Sequence, residues 1–148
     1  MNASTGTKTQ RAPFWVALCA ASLLLAGCAG MGGGNSVNLT LSGAQENPPV
    51  ATSASGKGTI TVGADKSVSG SVTTTGVDGI AAHIHVGATG KNGPVILPLA
   101  KTGDNVWSVP AGAKLTDEQY DSFKAGDLYV NVHSAKNKGG EIRGQLKP

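Results

Sequence analysis

The residues of this sequence best suited to metal chemistry are its three histidines, His83, His85 and His133. His83 and His85 lie one residue apart in Ile80–Val86, an alternating stretch that predicts a β-strand. Because side chains alternate between the faces of a strand, both imidazoles would share one face, roughly 7 Å apart at Cα. His133 ends a second alternating segment, Leu128–His133. Imidazole nitrogens bind copper and zinc, so the three rings form a candidate site for either ion.

Three polar residues could complete such a site. Asn131 alternates onto the predicted face of His133, and Glu141 and Arg143 share one face of the last predicted strand. If these strands are neighbours, the three side chains join the histidine patch, where a carboxylate or a water molecule would complete the metal shell. The opposite face of the first histidine strand needs a core, and four residues are expected on it: Ile80, Ala82, Ile84 and Val86.

A structural role for the same histidines is also open. In that case His83 and His85 would hydrogen-bond to carbonyl groups of nearby turns, and Glu141 would pair with Arg143 or Lys138. Ring nitrogens within about 4–5 Å of a common point favour a metal site, because metal–nitrogen distances are near 2 Å. Rings spread over the outer edges of different strands favour a domain that binds a partner through its loops.

Residues 1–27 are typical of an export signal. Lys8 and Arg11 supply its positive start, and the apolar run Phe14–Leu25 is too short to span a bilayer as a stable helix. The segment Leu25–Cys28 then resembles the lipobox of bacterial lipoproteins. That resemblance implies cleavage before Cys28 and attachment of lipid to this residue, which would hold the protein at a membrane without a transmembrane helix.

The residues after the cysteine predict the location and the domain boundaries. The residue after the cysteine is Ala29. An aspartate at this position would retain a lipoprotein at the inner membrane, so the segment resembles lipoproteins that are sent to the outer membrane. We therefore expect a bacterial cell-envelope protein at the outer membrane, facing the periplasm or the cell surface. Residues 28–36 are rich in glycine and predict a flexible tether. Residues 37–147 form the expected domain.

Charge and cysteine content argue against several kinds of partner and site. Without Lys8 and Arg11, ten of the 12 basic residues remain against 9 acidic ones, so the mature charge is about +1. Because no basic run is interleaved with aromatic residues, we expect no nucleic-acid partner. Cys19 lies in the export signal and Cys28 would carry lipid, which leaves no thiol for a disulfide or a thiolate metal site.

The pattern of the expected domain predicts an all-β fold. Short alternating segments recur between turns rich in glycine, from Val37–Leu41 to Ile142–Leu146. This arrangement is typical of an antiparallel Greek-key β-sandwich, immunoglobulin-like or superoxide-dismutase-like. One short helix interrupts the strands, because Thr116 and Gln119 have the spacing of a capping box.

Four segments of the chain resemble the CHRD domain, a module named after the repeats of chordin and also found in secreted microbial proteins. They follow one another in the order Leu41–Val50, Ala82–Gly87 with Gly93–Val95, Gly126–Ser134 and Gly139–Gln145. The resemblance covers Val37–Leu146 and implies an extracellular β-domain. In chordin the module belongs to a protein that binds secreted growth factors, a role that does not carry over to a bacterial lipoprotein.

The His-x-His pair is also similar to the copper half of copper–zinc superoxide dismutases. Three histidines are too few to supply the bridging ligand and the zinc ligands of those enzymes, and no disulfide is available. We therefore expect no dismutase activity, and no pair of titratable groups stands out as a catalytic acid and base. The sequence predicts a protein that is not an enzyme.

Two functions follow from these observations. The first is a lipid-anchored binding module of the cell envelope that recognises a protein or a glycan through its loops. The second is a periplasmic protein that binds copper or zinc through His83, His85 and His133. The position of the three rings in the fold distinguishes the two hypotheses.

Overall fold

A computed structural model describes residues 1–3 and 33–148. Most of the predicted export signal, the proposed lipid-bearing Cys28 and most of the predicted tether lie outside the described residues. Within the described residues, no helix is long and apolar enough to cross a membrane.

Residues 33–148 contain nine strands, one α-helix and one 3₁₀ turn. In chain order they are β1 (Asn35–Ser42), the 3₁₀ turn (Gly43–Gln45), β2 (Ser55–Val62), β3 (Val68–Thr75), β4 (Gly79–Val86), β5 (Val95–Pro98), β6 (Ala100–Gly103), β7 (Val106–Ser108), α1 (Asp117–Lys124), β8 (Leu128–Ser134) and β9 (Ile142–Leu146). The predicted all-β class with one short helix is confirmed.

The nine strands form one antiparallel sheet in the order β5-β4-β8-β9-β1-β2-β3-β7-β6. Its two end strands, β5 and β6, are separated in the chain by Leu99 alone, so the sheet curls until its ends meet and is nearly closed. Strand β9 returns beside β1, which gives β9-β1-β2-β3 the spatial order of a Greek key. The pairing of β1 with β9 is limited to one position, Ser42 opposite Arg143.

The core fills the inside of this curled sheet. Alternation explains its composition, because Val37 and Leu39 of β1 point inward while Asn38 and Thr40 are exposed. The largest aliphatic and aromatic side chains that are fully buried come from six elements: Leu41, Ile60, Ile84, Phe123, Leu128, Ile142 and Leu146. Burial of this apolar area is the main stabilising term of the fold.

Strand β4 departs from simple alternation at its start. Ala82 and Ile84 are buried as predicted and Val86 packs against the core, but Ile80 is 58% exposed. The pairing of β4 with β8 has a register shift between Gly79 and Ala81. Such an irregularity changes the face to which a side chain points, so the prediction that Ile80 lies in the core is wrong.

Helix α1 begins and ends as its sequence predicts. The Thr116 side chain accepts a hydrogen bond from Gln119 N, and the Gln119 side chain accepts one from Thr116 N, which confirms the capping box. Phe123 is fully buried and anchors the helix to the core. Gly126 has φ +77°, a left-handed conformation that glycine adopts without strain and that reverses the chain into β8.

Candidate metal centre

The three histidines come from the two adjacent strands β4 and β8. Their antiparallel register creates three cross-strand pairs: Ala81–His133, His83–Asn131 and His85–Tyr129. The core-facing residues of both strands point the other way, so the polar members of these pairs share the outer face of the sheet. The period-two argument from the sequence therefore placed the three rings correctly.

The rings form one compact cluster. One nitrogen from each of His83, His85 and His133 lies within 4.8 Å of the other two. The closest pair is His83 Nδ1 and His133 Nε2, at 2.9 Å. Metal–nitrogen bonds of 2.0–2.1 Å in a tetrahedral site separate ligand nitrogens by about 3.3 Å, so small side-chain movements would let all three bind one ion.

Backbone carbonyl groups fix the orientation of two rings. His85 Nδ1 lies 2.9 Å from Gly93 O, and His133 Nδ1 lies 2.8 Å from Lys138 O. Because a carbonyl oxygen only accepts, both Nδ1 atoms donate, and each neutral ring keeps a lone pair on Nε2. In metal sites, the ring nitrogen of a histidine that does not bind the ion usually donates such a hydrogen bond, which fixes the orientation of the ring.

His85 Nε2 has no hydrogen-bond partner within the described residues, although it is buried. A buried acceptor without a partner is costly, and such atoms mark positions where a ligand completes the structure. The structural hypothesis for the histidines explains the bond of His85 to a turn carbonyl. It does not explain the unpartnered nitrogen.

In the metal-free arrangement, His83 and His133 are held together by a hydrogen bond. Neutral His133 carries its proton on Nδ1, so its Nε2 accepts and His83 Nδ1 donates. For His83 Nδ1 to bind an ion, the proton must move to the other nitrogen of the same ring. His83 is only half-buried, so this proton can exchange through solvent.

Burial lowers the pKa of His83, and positive charge on His133 and His85 would lower it further. Burial also lowers the pKa of His85, an effect that the Gly93 carbonyl and the nearby Asn131 side chain partly oppose. Both shifts favour the neutral ring, which is the form that binds metal ions.

A loop covers part of the cluster. Residues 87–94 cross the outer face of the sheet, so His85 is only 7% exposed while His83 and His133 stay half-buried. The hydrogen bonds that hold this loop include Gly93 N to Tyr129 Oη (3.2 Å), Arg143 Nη2 to Ala88 O (3.1 Å) and Gln145 Nε2 to Gly87 O (2.8 Å). An ion would therefore enter from the side of His83 and His133.

Behind His85 lies a stack of two further side chains. The Tyr129 ring is parallel to the His85 ring within 8°, with centroids 4.7 Å apart. The guanidinium carbon of Arg143 lies 3.4 Å from the Tyr129 ring centroid. Because β8 lies between β4 and β9, His85 and Arg143 contact opposite faces of the tyrosine.

A comparison with models of protein families matches residues 37–146 to the CHRD domain. The chain belongs to the CHRD family. The match extends from Val37 in β1 to Leu146 in β9 and includes the three histidines, which confirms the resemblance noted in the sequence. No curated protein and no solved structure matches the chain.

Of the polar residues expected around the histidines of this CHRD domain, Asn131 and Arg143 lie on the histidine face and are buried. Asn131 Nδ2 donates to Gly139 O at 3.4 Å, and its Oδ1 is buried with no partner in the described part of the chain. Glu141 does not belong to the cluster of ligand atoms. Its carboxylate accepts a hydrogen bond from Thr52 Oγ1 at 2.9 Å.

The ion pair of Glu141 with Arg143 or Lys138, expected under the structural hypothesis, does not occur among residues 33–148. A hydrogen bond from Ser134 is the main reason that the pKa of Glu141 is lowered. The carboxylate therefore interacts with hydroxyl groups rather than with a basic side chain.

Sequence reasoning missed two residues of the outer face. Tyr129 alternates with Asn131 and His133, a signal that could have placed it beside them. Glu46 comes from the loop after β1 and is buried, which raises its pKa to about 7 against the lowering effect of Arg143. Glu46 and Arg143 line one pocket of about 350 Å³, and no local pattern of the sequence predicts that these two residues lie near each other.

Proposed function

We propose that this CHRD domain binds a copper or zinc ion through His83, His85 and His133. The observation that carries the proposal is the buried, unpartnered Nε2 of His85 inside a cluster of three imidazoles whose nitrogens lie within 4.8 Å. Two of the rings are oriented by backbone carbonyl groups, so the ligand atoms are positioned before an ion arrives.

Three neutral imidazoles leave an open position on the ion, which water or a small anion would fill. We propose a binding role without catalytic turnover, because the chain supplies no further histidine for a second metal. The copper-loaded protein should remove superoxide no faster than the chain with all three histidines replaced does in the same copper buffer. A rate well above that control would make the protein an enzyme.

The experiment for metal binding uses the full chain in detergent, titrated with Zn(II), with Cu(II), and with Cu(I) under anaerobic conditions. His85→Phe keeps a ring against Tyr129 but removes both nitrogens, and His83→Phe and His133→Phe do the same at the other positions. Each change should weaken binding at least about a hundredfold, since one of three ligands is lost.

Lys138→Ala is the matched control for the metal titration. It removes a nearby positive charge but keeps the backbone carbonyl that orients His133. Its affinity should stay within about threefold of the wild-type value. Wild-type binding weaker than about micromolar, or binding unchanged in all three histidine variants, would overturn the proposal.

We further propose that the domain acts in a bacterial cell envelope, held at the membrane by lipid on Cys28. The support is the lipobox-like segment Leu25–Cys28 followed by glycine-rich residues. The wild-type chain should be labelled with a radioactive fatty acid, and Cys28→Ser should abolish this labelling. A wild-type chain that takes up no label, or a label that persists in Cys28→Ser, would contradict the lipid anchor.

Binding of an envelope protein or a glycan is a second candidate, which the loop after β1 favours. Pro48 and Pro49 are exposed, and the loop that carries them is held in place because Asn92 Nδ2 donates to Asn47 O at 2.7 Å. An exposed loop that is already held in one conformation suits partner recognition, because little conformational freedom is lost on binding. Cross-linking in envelope extracts should recover a partner with the wild-type chain and lose it with Pro48→Ala/Pro49→Ala.

A further inference from the structure

Arg143 is the one charged side chain stacked in line with the proposed metal site in the described part of the chain. Its guanidinium carbon lies 3.4 Å from the Tyr129 centroid, and Tyr129 lies 4.7 Å from His85 on its other face. The guanidinium carbon is therefore no more than about 8 Å from the centre of a ligand ring. A metal ion on His85 would feel this charge through packed side chains rather than through water.

The charge of Arg143 is permanent and incompletely compensated. Arginine stays protonated in proteins, and this side chain is 1% exposed. Its hydrogen bonds go to neutral acceptors: Ala88 O, Gln145 Oε1 and, at 3.4 Å, Asn92 Oδ1. Among residues 33–148, no carboxylate oxygen lies within 4.0 Å of the guanidinium.

The ligands add no negative charge to offset this field. All three are neutral imidazoles, and the group of ligand atoms contains no carboxylate. A divalent ion is repelled by the guanidinium about twice as strongly as a monovalent ion in the same position. Cu(I) accepts three imidazole ligands, so it can use the same site at half the electrostatic cost.

We propose that Arg143, acting through Tyr129 and His85, shifts the selectivity of the three-histidine site from divalent ions towards Cu(I). This inference rests on the proposed metal-binding function and names the cargo of that site. Arg143 does not contact the ion. It is a positioning residue whose charge sets which oxidation state is bound more tightly.

The test measures the dissociation constants of the full chain in detergent for Cu(I), Cu(II) and Zn(II), by competition with chromophoric chelators under anaerobic conditions. Arg143→Met removes the charge at nearly constant length. The ratio of the Cu(I) affinity to the Cu(II) affinity, and likewise to the Zn(II) affinity, should fall about fivefold or more. Arg143→Lys keeps the charge, so both ratios should stay within about twofold of wild type.

A separate variant controls for disturbance of the covering loop. Gln145→Ala removes hydrogen bonds to Gly87 O, Gly126 O and Arg143 without changing any charge. It is directly comparable with Arg143→Met because both variants lose hydrogen bonds between β9 and the same loop. The affinity ratios of Gln145→Ala should match those of wild type.

Glu46→Gln provides a test of opposite sign that does not depend on the folding of Arg143→Met. Glu46 lines the pocket of Arg143, and at pH 8 its carboxylate is ionised. Removing this negative charge leaves the guanidinium less compensated, so the preference for Cu(I) should rise. A fall in that preference would contradict the inference.

The outcomes separate the inference from the function on which it rests. A wild-type chain that binds none of the three ions overturns the metal-binding function. Wild-type binding with ratios that move equally in Arg143→Met and Arg143→Lys shows that Arg143 acts only by holding the loop. If the affinity ratios stay constant in both Arg143→Met and Glu46→Gln, the charge of Arg143 does not influence selectivity, but the metal-binding function still stands.

Discussion

The two faces of β4, β8 and β9 are both largely buried, but they are built on different principles. On the inner face, Ile84, Val130 and Ile142 fill the core by apolar packing. On the outer face, His85 and Arg143 lie under a loop and are oriented by hydrogen bonds and stacking. The inner face determines whether the domain folds, whereas the outer face holds polar atoms that have no partner within the described chain.

The largest expected effect comes from the inner face. Ile84→Ala removes a fully buried side chain between His83 and His85, so the unfolding free energy should fall by about 3 kcal/mol. Denaturant titration of the metal-free protein measures this loss. The folded variant should still bind metal, because the histidines point the other way. A loss below about 1 kcal/mol would contradict the assignment of Ile84 to a rigid core.

Metal binding should stabilise the outer face by a similar amount. At a free metal concentration a hundredfold above the dissociation constant, the unfolding free energy should rise by about 2.7 kcal/mol. Thermal or denaturant unfolding with and without a chelator measures the difference. His85→Phe should unfold at the same point in both conditions, and a metal-dependent shift that persists in this variant would mean that the ion binds elsewhere.

The buried carboxyl of Glu46 should make stability depend on pH. Burial raises its pKa from 4.5 to about 7 in the folded state, so the folded protein holds this proton more tightly than the unfolded chain does. Protonated Glu46 therefore contributes its full stabilisation of the fold below about pH 4.5, and this contribution is lost as the pH rises through about 7.

Relative to Glu46→Gln, wild type should therefore lose about 2 kcal/mol between pH 5 and pH 8. The comparison with the variant cancels the contribution of the histidines, whose lowered pKa values act in the opposite direction. Parallel pH profiles of the two proteins would show that Glu46 titrates normally.

The smallest effect concerns the turn before β9. Gly140 has φ +133°, and a Cβ there would collide with Glu46 Oε1 and crowd Asn131 Nδ2. Gly140→Ala should cost about 1–2 kcal/mol of unfolding free energy. Gly139→Ala is the matched control, because nothing lies within 4 Å of its Cβ position, and it should be nearly neutral. Equal costs at the two positions would contradict this close approach.

Much of this architecture could be predicted from local patterns. Alternation placed the three histidines on one face, and the spacing of Thr116 and Gln119 identified the helix start. The exposed position of Ile80 could not be predicted, because it depends on a register shift between β4 and β8. The stack of Arg143 on Tyr129 required the strand order, which alternation does not give.

Burial of the outer face was also beyond sequence reasoning. The loop 87–94 and the loop of Glu46 cover it through contacts between residues far apart in the chain, such as Asn92 with Asn47. The sequence shows only that both segments are rich in glycine and proline. Polar residues therefore looked like a solvated surface, although the fold encloses most of them.

If Cys28 carries lipid as proposed, the position of Ser42 has a consequence for the distance between the histidines and the membrane. Ser42, Arg143, Asn131 and His83 form one row across four adjacent strands. Strand β1 reaches that row from Asn35, over roughly 24 Å, so a lipid on Cys28 would hold the opposite end of the strand. Only six residues lie between Cys28 and Asn35, so the seven steps along the chain reach at most about 25 Å. With the proposed lipid on Cys28, this reach would keep Asn35 close to the bilayer, and the histidine row would lie at the other end of β1.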